Sequence, residues 1–490
     1  MLPLILAFSC NEATPDSAAD TAPEPAAPGI LDRDAGWLRG DLHVHTTYDG
    51  GFEDVATVVA LAEYLADPTF LAAHPEFEGD HLDFLSITDH RTVEQQSDPG
   101  YASDRLVLVG GEEFGSDGHA GAHGIHERVD HDPDGDGTTL EDLVAAIEHT
   151  HDQGGTFSPN HPFLPDIAWP WDTTTHDGVE VWNAGWALMA PDYTQDTLDA
   201  WELAHGTEAS ATFRRAVQAA GSGSAMQALA WYEAQLMVGR HLAVIGGSDR
   251  HAVLLPGFPT TYVRTDTADE AGVVAGLRAR HTFVARTPAS AQLLVTGDGW
   301  ELGDEVSLAG ATSVDLTVRV ARAEGGLLRI IGGGPATEAE LADAELGAVL
   351  VEQAIDSDDF SLELTLEVGQ GSWFYPLVLE PLLPEGTTDE QAEIVRSIAV
   401  GAAATGEEDF VGLAELAAAF VDPDVLFDAS TCDPDDWLPD QLQCFPPDDE
   451  GLASFYVPDL LDRGLNALIE DGQPTDWCMG AIGSATRFVR

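Results

Sequence analysis

Two histidines stand two residues apart in "GDLHVHTTYDGG" (Gly40 to Gly51), on a stretch that reads as a strand running into a glycine-bounded loop. Side chains at i and i+2 of a strand share a face, so His43 and His45 are placed to close on one ion. The pair alone decides nothing: with 17 histidines in the chain, roughly 0.6 His-x-His pairs arise by chance. Repetition gives it weight. "LDFLSITDH" ends in Asp89 and His90, and "LVLVGGEEF" runs into Glu112 and Glu113. "GGTFSPNHPF" carries His161, "GVEVWN" carries Glu180 and Asn183, and "LAVIGGSDRHAV" has Asp249 and His251 beyond its end. Imidazoles mixed with carboxylates, without thiolates, suit Zn, Mn or Fe rather than Ca or a structural zinc knot.

These residues need a frame that gathers strand ends. From Trp37 to about residue 290, short apolar runs alternate with helical stretches such as "FEDVATVVALAEYLA" and "TTLEDLVAAIEHTHDQGG". In the second, Thr139 and Asp142 have capping-box spacing and a glycine pair forms the stop. Alternation of this kind predicts an α/β fold with parallel strands, and polar residues just past strand ends predict the C-terminal rim of a barrel. After about residue 290 the texture turns to period-two runs with glycine-rich turns, as in "SVDLTVRVARAEGGLLRIIGGG", which predicts a β-sandwich-like domain. About residues 385–475 read as an acidic helical insertion into that domain, with a capping box at Thr388 and Gln391 and with "TRFVR" returning as the last strand.

Charge narrows the partners. Twenty basic residues, all arginine, face 86 acidic ones, a net of −66. Such a surface repels nucleic acid and anionic headgroups. No run of 18 apolar residues occurs, so no transmembrane helix is expected. Residues 1–34 fall outside the expected fold: "MLPLILAFSC" followed by an Ala/Pro/acid stretch looks like a short lipoprotein signal with an acylated Cys10, or else a plain disordered tail. The expectation is an exported protein, tied to a membrane only through lipid on Cys10. Cys432, Cys444 and Cys478 cluster near the C-terminus without CxxC spacing, and Cys432 with Cys444 would close a short loop.

"DLHVHTTYDGG", "SITDH", "GGEEF" with the following "GHAGAHG", "PNHP" and "GGSDRH" come in the order of the motifs of the PHP (polymerase and histidinol phosphatase) superfamily, which the chain resembles over roughly residues 37–300. The later run "TTYVRTDTADEAGVVAGLRARHTFVARTP" is similar to its carbaryl-hydrolase-like branch. The resemblance implies a distorted (β/α)7 barrel over residues 35–290, a second domain over 291–490, and two or three divalent ions. It implies a first ion on His43, His45 and Asp249, with Glu113 bridging to a second ion held by His119 and His161. A third would use Asp49, His90 and His251, with Asp89 as ligand or orienting group. Tyr48 stands where the family usually has serine. The resemblance gives Glu113, Asp249 and His251 the catalytic roles. Glu112 competes with Glu113 for the bridging position, and His123 and His126 compete with His119.

The expected chemistry is hydrolysis of a small-molecule substrate. Shared ions lower the pKa of a bound water from 15.7 toward about 7, and the resulting hydroxide attacks a phosphoester or, alternatively, a carbamate or amide-like ester. Phosphate recognition favours nearby arginine, and only Arg91 and Arg250 adjoin these motifs. A reading of another class is a surface-anchored binding protein with structural metal. "DPDGDG" offers Asp132, Asp134 and Asp136 as a candidate calcium loop, or simply an acidic turn before a capped helix. Trp169 and Trp171 either line the substrate mouth or pack the barrel.

Overall fold

The computed structural model describes residues 36–49, 51, 53–64, 81–133, 138–184, 193–219, 223–251, 256–383, 467–470 and 473–489, with isolated residues between 387 and 396. The fold is mixed α/β with several sheets. Its first strand, β1 (Trp37–Val44), is buried at every position, as expected of a strand covered on both faces. It lies between β2 (Phe84–Ile87), parallel to it, and β9 (Thr260–Arg264), antiparallel. β3 (Val107–Val109) extends the parallel run beyond β2. A Cβ on Gly40 would come within 2.3 Å of the Phe84 carbonyl, so only glycine lets β1 and β2 approach this closely.

The parallel expectation holds for β1–β2–β3 and for β7 (Gly178–Asn183) with β8 (Ala243–Gly247). It fails between them. β4 (Gly111–Phe114), β5 (Ala120–His123) and β6 (Thr156–Pro159) form an antiparallel meander. The link from Phe114 to Ala120 is too short for a parallel crossover, which needs on the order of a dozen residues. "LVLVGGEEF" is accordingly two strands, β3 and β4, broken at Gly110. Single bridges past the strand ends join the groups: His90 pairs with Glu113, and Val44 with Arg250. The backbone N–H of Asp177 donates to the Phe157 carbonyl at 2.8 Å, linking β6 to the start of β7.

Helices connect several of these strands. α1 (Val55–Tyr64) follows the first loop. α2 (Leu140–Asp152) starts at the expected capping box, with Thr139 and Asp142 bonded reciprocally, and stops before Gly154 at φ 91°. α3 (Ser224–Met237) is buried along nearly its whole length, its polar Gln227, Glu233 and Gln235 included, so those side chains find their partners inside the protein. It packs between the strands above and the C-terminal part: the Ala485 N–H donates to the Tyr232 hydroxyl at 2.7 Å, and the Tyr375 hydroxyl donates to Glu233 at 2.6 Å. Trp169 is fully buried, its indole N–H on the Thr173 hydroxyl, and Trp171 is buried beside it. Both tryptophans are packing residues.

Beyond residue 290, β11 (Gln292–Gly297), β12 (Trp300–Glu301), β14 (Ser313–Ala321) and β17 (Asp359–Glu367) form one sheet. Its inner face, with Leu293, Val318 and Val320, shares a core with Leu328 and Ile330 of β15 (Leu327–Gly333) and with Phe374 and Val378 of β18 (Trp373–Pro381). The facing sheet runs without a break into the first part of the chain. β18 pairs with β20 (Gln473–Gly483), β20 with β10 (Thr282–Ala285), and β10 with β9. β19 (Ala467–Glu470) and β20 stand where the helical insertion was expected to extend, and Thr486–Val489 is the last strand. Cys478 is buried with its thiol on the Glu380 carbonyl. Cys10, Cys432, Cys444, Asp134, Asp136 and the Thr388–Gln391 capping box lie outside the described residues.

One buried ion pair ties this frame to the chemistry. Arg250 presents both terminal guanidinium nitrogens to the Glu53 carboxylate, at 3.1 and 2.9 Å, with side-chain exposures of 1% and 4%. Removing one partner of such a pair takes away charge that compensates the other inside the protein. Glu53→Ala should therefore lose about 3–5 kcal/mol of stability, measured by urea unfolding of the full chain. A loss below about 1 kcal/mol, the scale of a surface pair, would contradict this.

Candidate metal centre

The centre is built from strand ends. His43 lies on β1, and a Cβ on Gly247 would sit 2.4 Å from the His43 Cβ, so glycine at that place lets β8 close against it. His45 follows two residues later, and its backbone N–H donates to the Arg250 carbonyl at 3.0 Å. The Asp249 N–H donates to the His43 carbonyl at 2.8 Å. These bonds hold the ends of β1 and β8 side by side. Asp249 and His161 adopt positive φ, 50° and 25°. Strained backbone of this kind persists where surrounding contacts dictate it, and it clusters at functional sites.

Glu113 is the common neighbour. One carboxylate oxygen, Oε1, lies 3.2 Å from His43 Nε2, 3.3 Å from His119 Nδ1 and 3.1 Å from His161 Nε2. It also accepts the Asn160 amide at 3.0 Å. The other, Oε2, lies 3.4 Å from His45 Nε2 and 3.0 Å from His90 Nδ1. Asp249 Oδ1 stands 3.3 Å from His43 Nε2, 3.2 Å from His45 Nε2 and 3.6 Å from His251 Nδ1. Asp49 accepts from His45 Nδ1 at 2.8 Å and from the His90 N–H. Asp89 accepts from Thr46 through both the backbone N–H, at 2.6 Å, and the hydroxyl, at 2.8 Å.

Of the expected ligands, His43, His45, Glu113 and Asp249 form one group whose donor atoms lie within 4.8 Å of one another. His90, Glu113 and His119 form a second such group, while His45 joins His90 and His251 in one further group and Asp49 and Asp89 in another. His161 sits against Glu113 rather than in any of these groups, and His90 falls with His119 as well as with His251. Glu112 points the other way, accepting the Val129 N–H at 2.7 Å. His123 is buried against the Ser86 hydroxyl, and His126 is exposed beside Gln96 and Glu270.

Among the described residues, His43 Nε2, His45 Nε2, His90 Nδ1, His119 Nδ1, Glu113 Oε2 and Asp249 Oδ1 are buried without a hydrogen-bond partner. Within each group they lie no more than 4.8 Å apart, yet none of the six makes a hydrogen bond. Buried polar atoms are seldom left unsatisfied, and nitrogen and oxygen donors converging in this way fit divalent cations. The residues present therefore fit a group of bound ions.

Electrostatics agree. Burial alone would lower the pKa of His43, but Asp249, Glu113 and Glu180 raise it well above the ordinary histidine value. His45 is likewise raised, against its burial, by Asp249, Asp49 and Glu113. Burial would raise Glu113, but His43, His119 and His90 bring it well below the carboxylate range. Asp49 is lowered to about 2 despite its burial, chiefly by His45. Burial and the neighbouring Asp49 push Asp89 up to about 7, and burial lifts Glu112 to about 7. Burial lowers His119, and burial with the nearby His45 lowers His251.

The residues alone mark Glu180 and Asn183 as polar positions of one more strand but give them no ligand role, and they do not single out Asn160. Glu180 accepts from His43 Nδ1 at 3.0 Å, and Asn183 donates to Asp249 Oδ2 at 3.1 Å. The signal available was a glutamate at the third residue, and an asparagine at the last, of a strand that is otherwise apolar.

No protein-family model matches the chain, and no curated protein matches it. Two solved structures are similar to it. One is a two-domain protein from Bacteroides vulgatus ATCC 8482 containing a predicted PHP-like metal-dependent phosphoesterase; it is 15% identical over 70% of this chain and 90% of that one, with a TM-score of 0.32. The other is PsfC from Pseudomonas syringae PB-5123, 16% identical over 50% of this chain and 90% of that one, with a TM-score of 0.31. At TM-scores of this size the centre stands on its own geometry.

A pH dependence follows. With their pKa values raised, His43 and His45 hold protons at neutral pH when no ion is bound, and a ligand nitrogen must give up its proton to bind metal. Apparent affinity for Mn2+ or Zn2+ should therefore climb steadily between about pH 6 and pH 8 and fall on acidification. Competition with a chromogenic chelator measures it. An affinity flat across that window would contradict the assignment.

Proposed function

We propose that the chain is a divalent-metal-dependent hydrolase of the PHP type that cleaves a phosphoester in a small-molecule substrate. In this reading the strands from β1 to β8 are the distorted barrel of that superfamily, and lipid on Cys10 anchors the exported protein. The observation that carries the reading is the convergence of six buried, unsatisfied nitrogen and oxygen atoms around Glu113 and Asp249. A purely structural site is normally closed, whereas His251 and His90 keep side-chain exposures of 31% and 18%, so one side of this cluster meets solvent.

Bound divalent ions supply a water of lowered pKa and neutralise charge on the scissile group. The protein's own part is positional and protonic. The two oxygens of Glu113 face separate sets of imidazoles, which suits a bridging ligand. Asp249, held between His43 and His45, fixes the spacing of the strand ends. His251, at the exposed side, is free to pass a proton between its ring and the substrate or solvent.

One observation favours the alternative, a carbamate or amide-like ester. Arg250 is committed to Glu53 inside the protein, and Arg91 places a guanidinium nitrogen on the Gly115 carbonyl. In these contacts neither guanidinium meets a residue of the cluster, so charge on a phosphoryl group would be met chiefly by the ions.

The test is metal analysis of the purified protein together with a screen of phosphomonoesters, phosphodiesters and aryl carbamates, run on three proteins. Wild type should hydrolyse one class in a metal-dependent way. Glu113→Gln should lose on the order of 10²-fold or more in turnover, and Glu112→Gln, turned to the Val129 N–H, should lose little. If neither substitution matters, metal hydrolysis at this cluster is wrong.

A further inference from the structure

We propose that Glu180 is the positioning residue of the metal centre, locking three ligand-bearing strand ends together and setting which nitrogen of His43 faces the ions. The proposal rests on the metal reading above. Glu180 stands in the middle of β7, 2% exposed, on a strand that carries none of the expected ligands. Its Oε1 accepts from His43 Nδ1 at 3.0 Å, and its Oε2 accepts from the His161 backbone N–H at 2.8 Å and from the Asn183 amide at 3.1 Å. The same Asn183 amide reaches Asp249 Oδ2 at 3.1 Å. One carboxylate thereby touches His43 on β1, His161 after β6 and, through Asn183, Asp249 after β8.

The chemistry of the donor set requires an acid here. Three donors meet at Glu180, and a carboxylate accepts on both oxygens. With Nδ1 donating to it, the His43 ring proton is kept on that side. Nε2 then presents its lone pair toward Glu113 and Asp249, where that nitrogen has no other hydrogen-bond partner. A carboxylate behind a ligating imidazole fixes its tautomer and orientation and raises its basicity, and loss of such a partner costs about 10–100-fold in metal affinity. The backbone contact at His161 adds a second constraint, because that residue sits at φ 25° and needs its N–H tied down to stay there.

Glutamine at this position keeps the volume but offers one acceptor and one donor group. The NH2 must then face either His43 Nδ1–H or the His161 and Asn183 donors. In the first case the His43 tautomer is released; in the second the strand tie is lost.

The experiment is a Co2+ titration of the chelator-stripped full chain, read by the visible d–d absorption and by calorimetry, with ion-free thermal unfolding alongside. Glu180→Gln should weaken Co2+ binding by about 10–100-fold and change the absorption band, because the ligand field at His43 changes. Asn183→Ala, which leaves the His43 contact in place, should weaken binding by a smaller factor and leave the band where it is. If wild type fails to bind Co2+ tightly, the metal reading falls and this proposal with it. If wild type binds and Glu180→Gln binds equally well with an unchanged band, the metal reading stands and Glu180 is only a packing residue. Should Glu180→Gln fail to fold, Glu180→Asp keeps the charge but withdraws it by one methylene. A folded Glu180→Asp with undiminished Co2+ affinity overturns the proposal, and a weakened one supports it.

Discussion

A carboxylate shut away from water has to be met by positive charge or by a proton. Glu113 is fully buried, and its pKa is held low, not high. Everything around it serves that condition. Five imidazoles from four different segments reach within 3.4 Å of its two oxygens, and each needs its own strand end at the right height. Imidazolium protons can meet the requirement in the ion-free protein. Divalent cations would meet it too, and would also satisfy the buried nitrogen and oxygen atoms that have no hydrogen-bond partner.

The fold can be understood as a device for bringing those ends together. β1 and β8 are clamped by two backbone hydrogen bonds beyond their ladders, and β2 and β4 by the His90–Glu113 bridge. The clamps carry a conformational cost: Asp249 and His161 both take positive φ, which costs of order 1–3 kcal/mol at a non-glycine residue. Buried pairs such as Arg250 with Glu53, and the continuous sheet from β1 through β10 to β18, hold the strained ends in place. The sandwich past residue 290 is thus bonded into the sheet that presents His43.

Much of this was legible in the residues because period-two spacing survives into three dimensions. His43 and His45 share a face as alternation requires, and the same alternation turns Glu113 inward and Glu112 away. The helix starting at Thr139 declared itself by its cap. What was hidden depended on contacts remote in sequence. Glu180 meets His43 across 137 positions, and no local pattern marks a glutamate in an apolar strand as a partner for a histidine so far away. The antiparallel meander was hidden for another reason. "AGAH" has no β-branched residue and is four residues long, so β5 left no strand signature, and without it β4 and β6 read as parallel neighbours. Residues 467 to about 475 read as the end of an acidic helical segment, yet β19 and β20, which begin there, pair with each other and β20 with β18, an outcome set by the available sheet edge.

The central claim is that the lone pairs around Glu113 face bound cations. Anomalous diffraction from crystals grown with Mn2+ or Zn2+, collected at the metal's absorption edge, addresses it most directly. The account predicts strong peaks in contact with Glu113, one flanked by His43, His45 and Asp249 and another by His90 and His119. Peaks confined to the acidic surface, with Glu113 still surrounded by imidazoles alone, would contradict it.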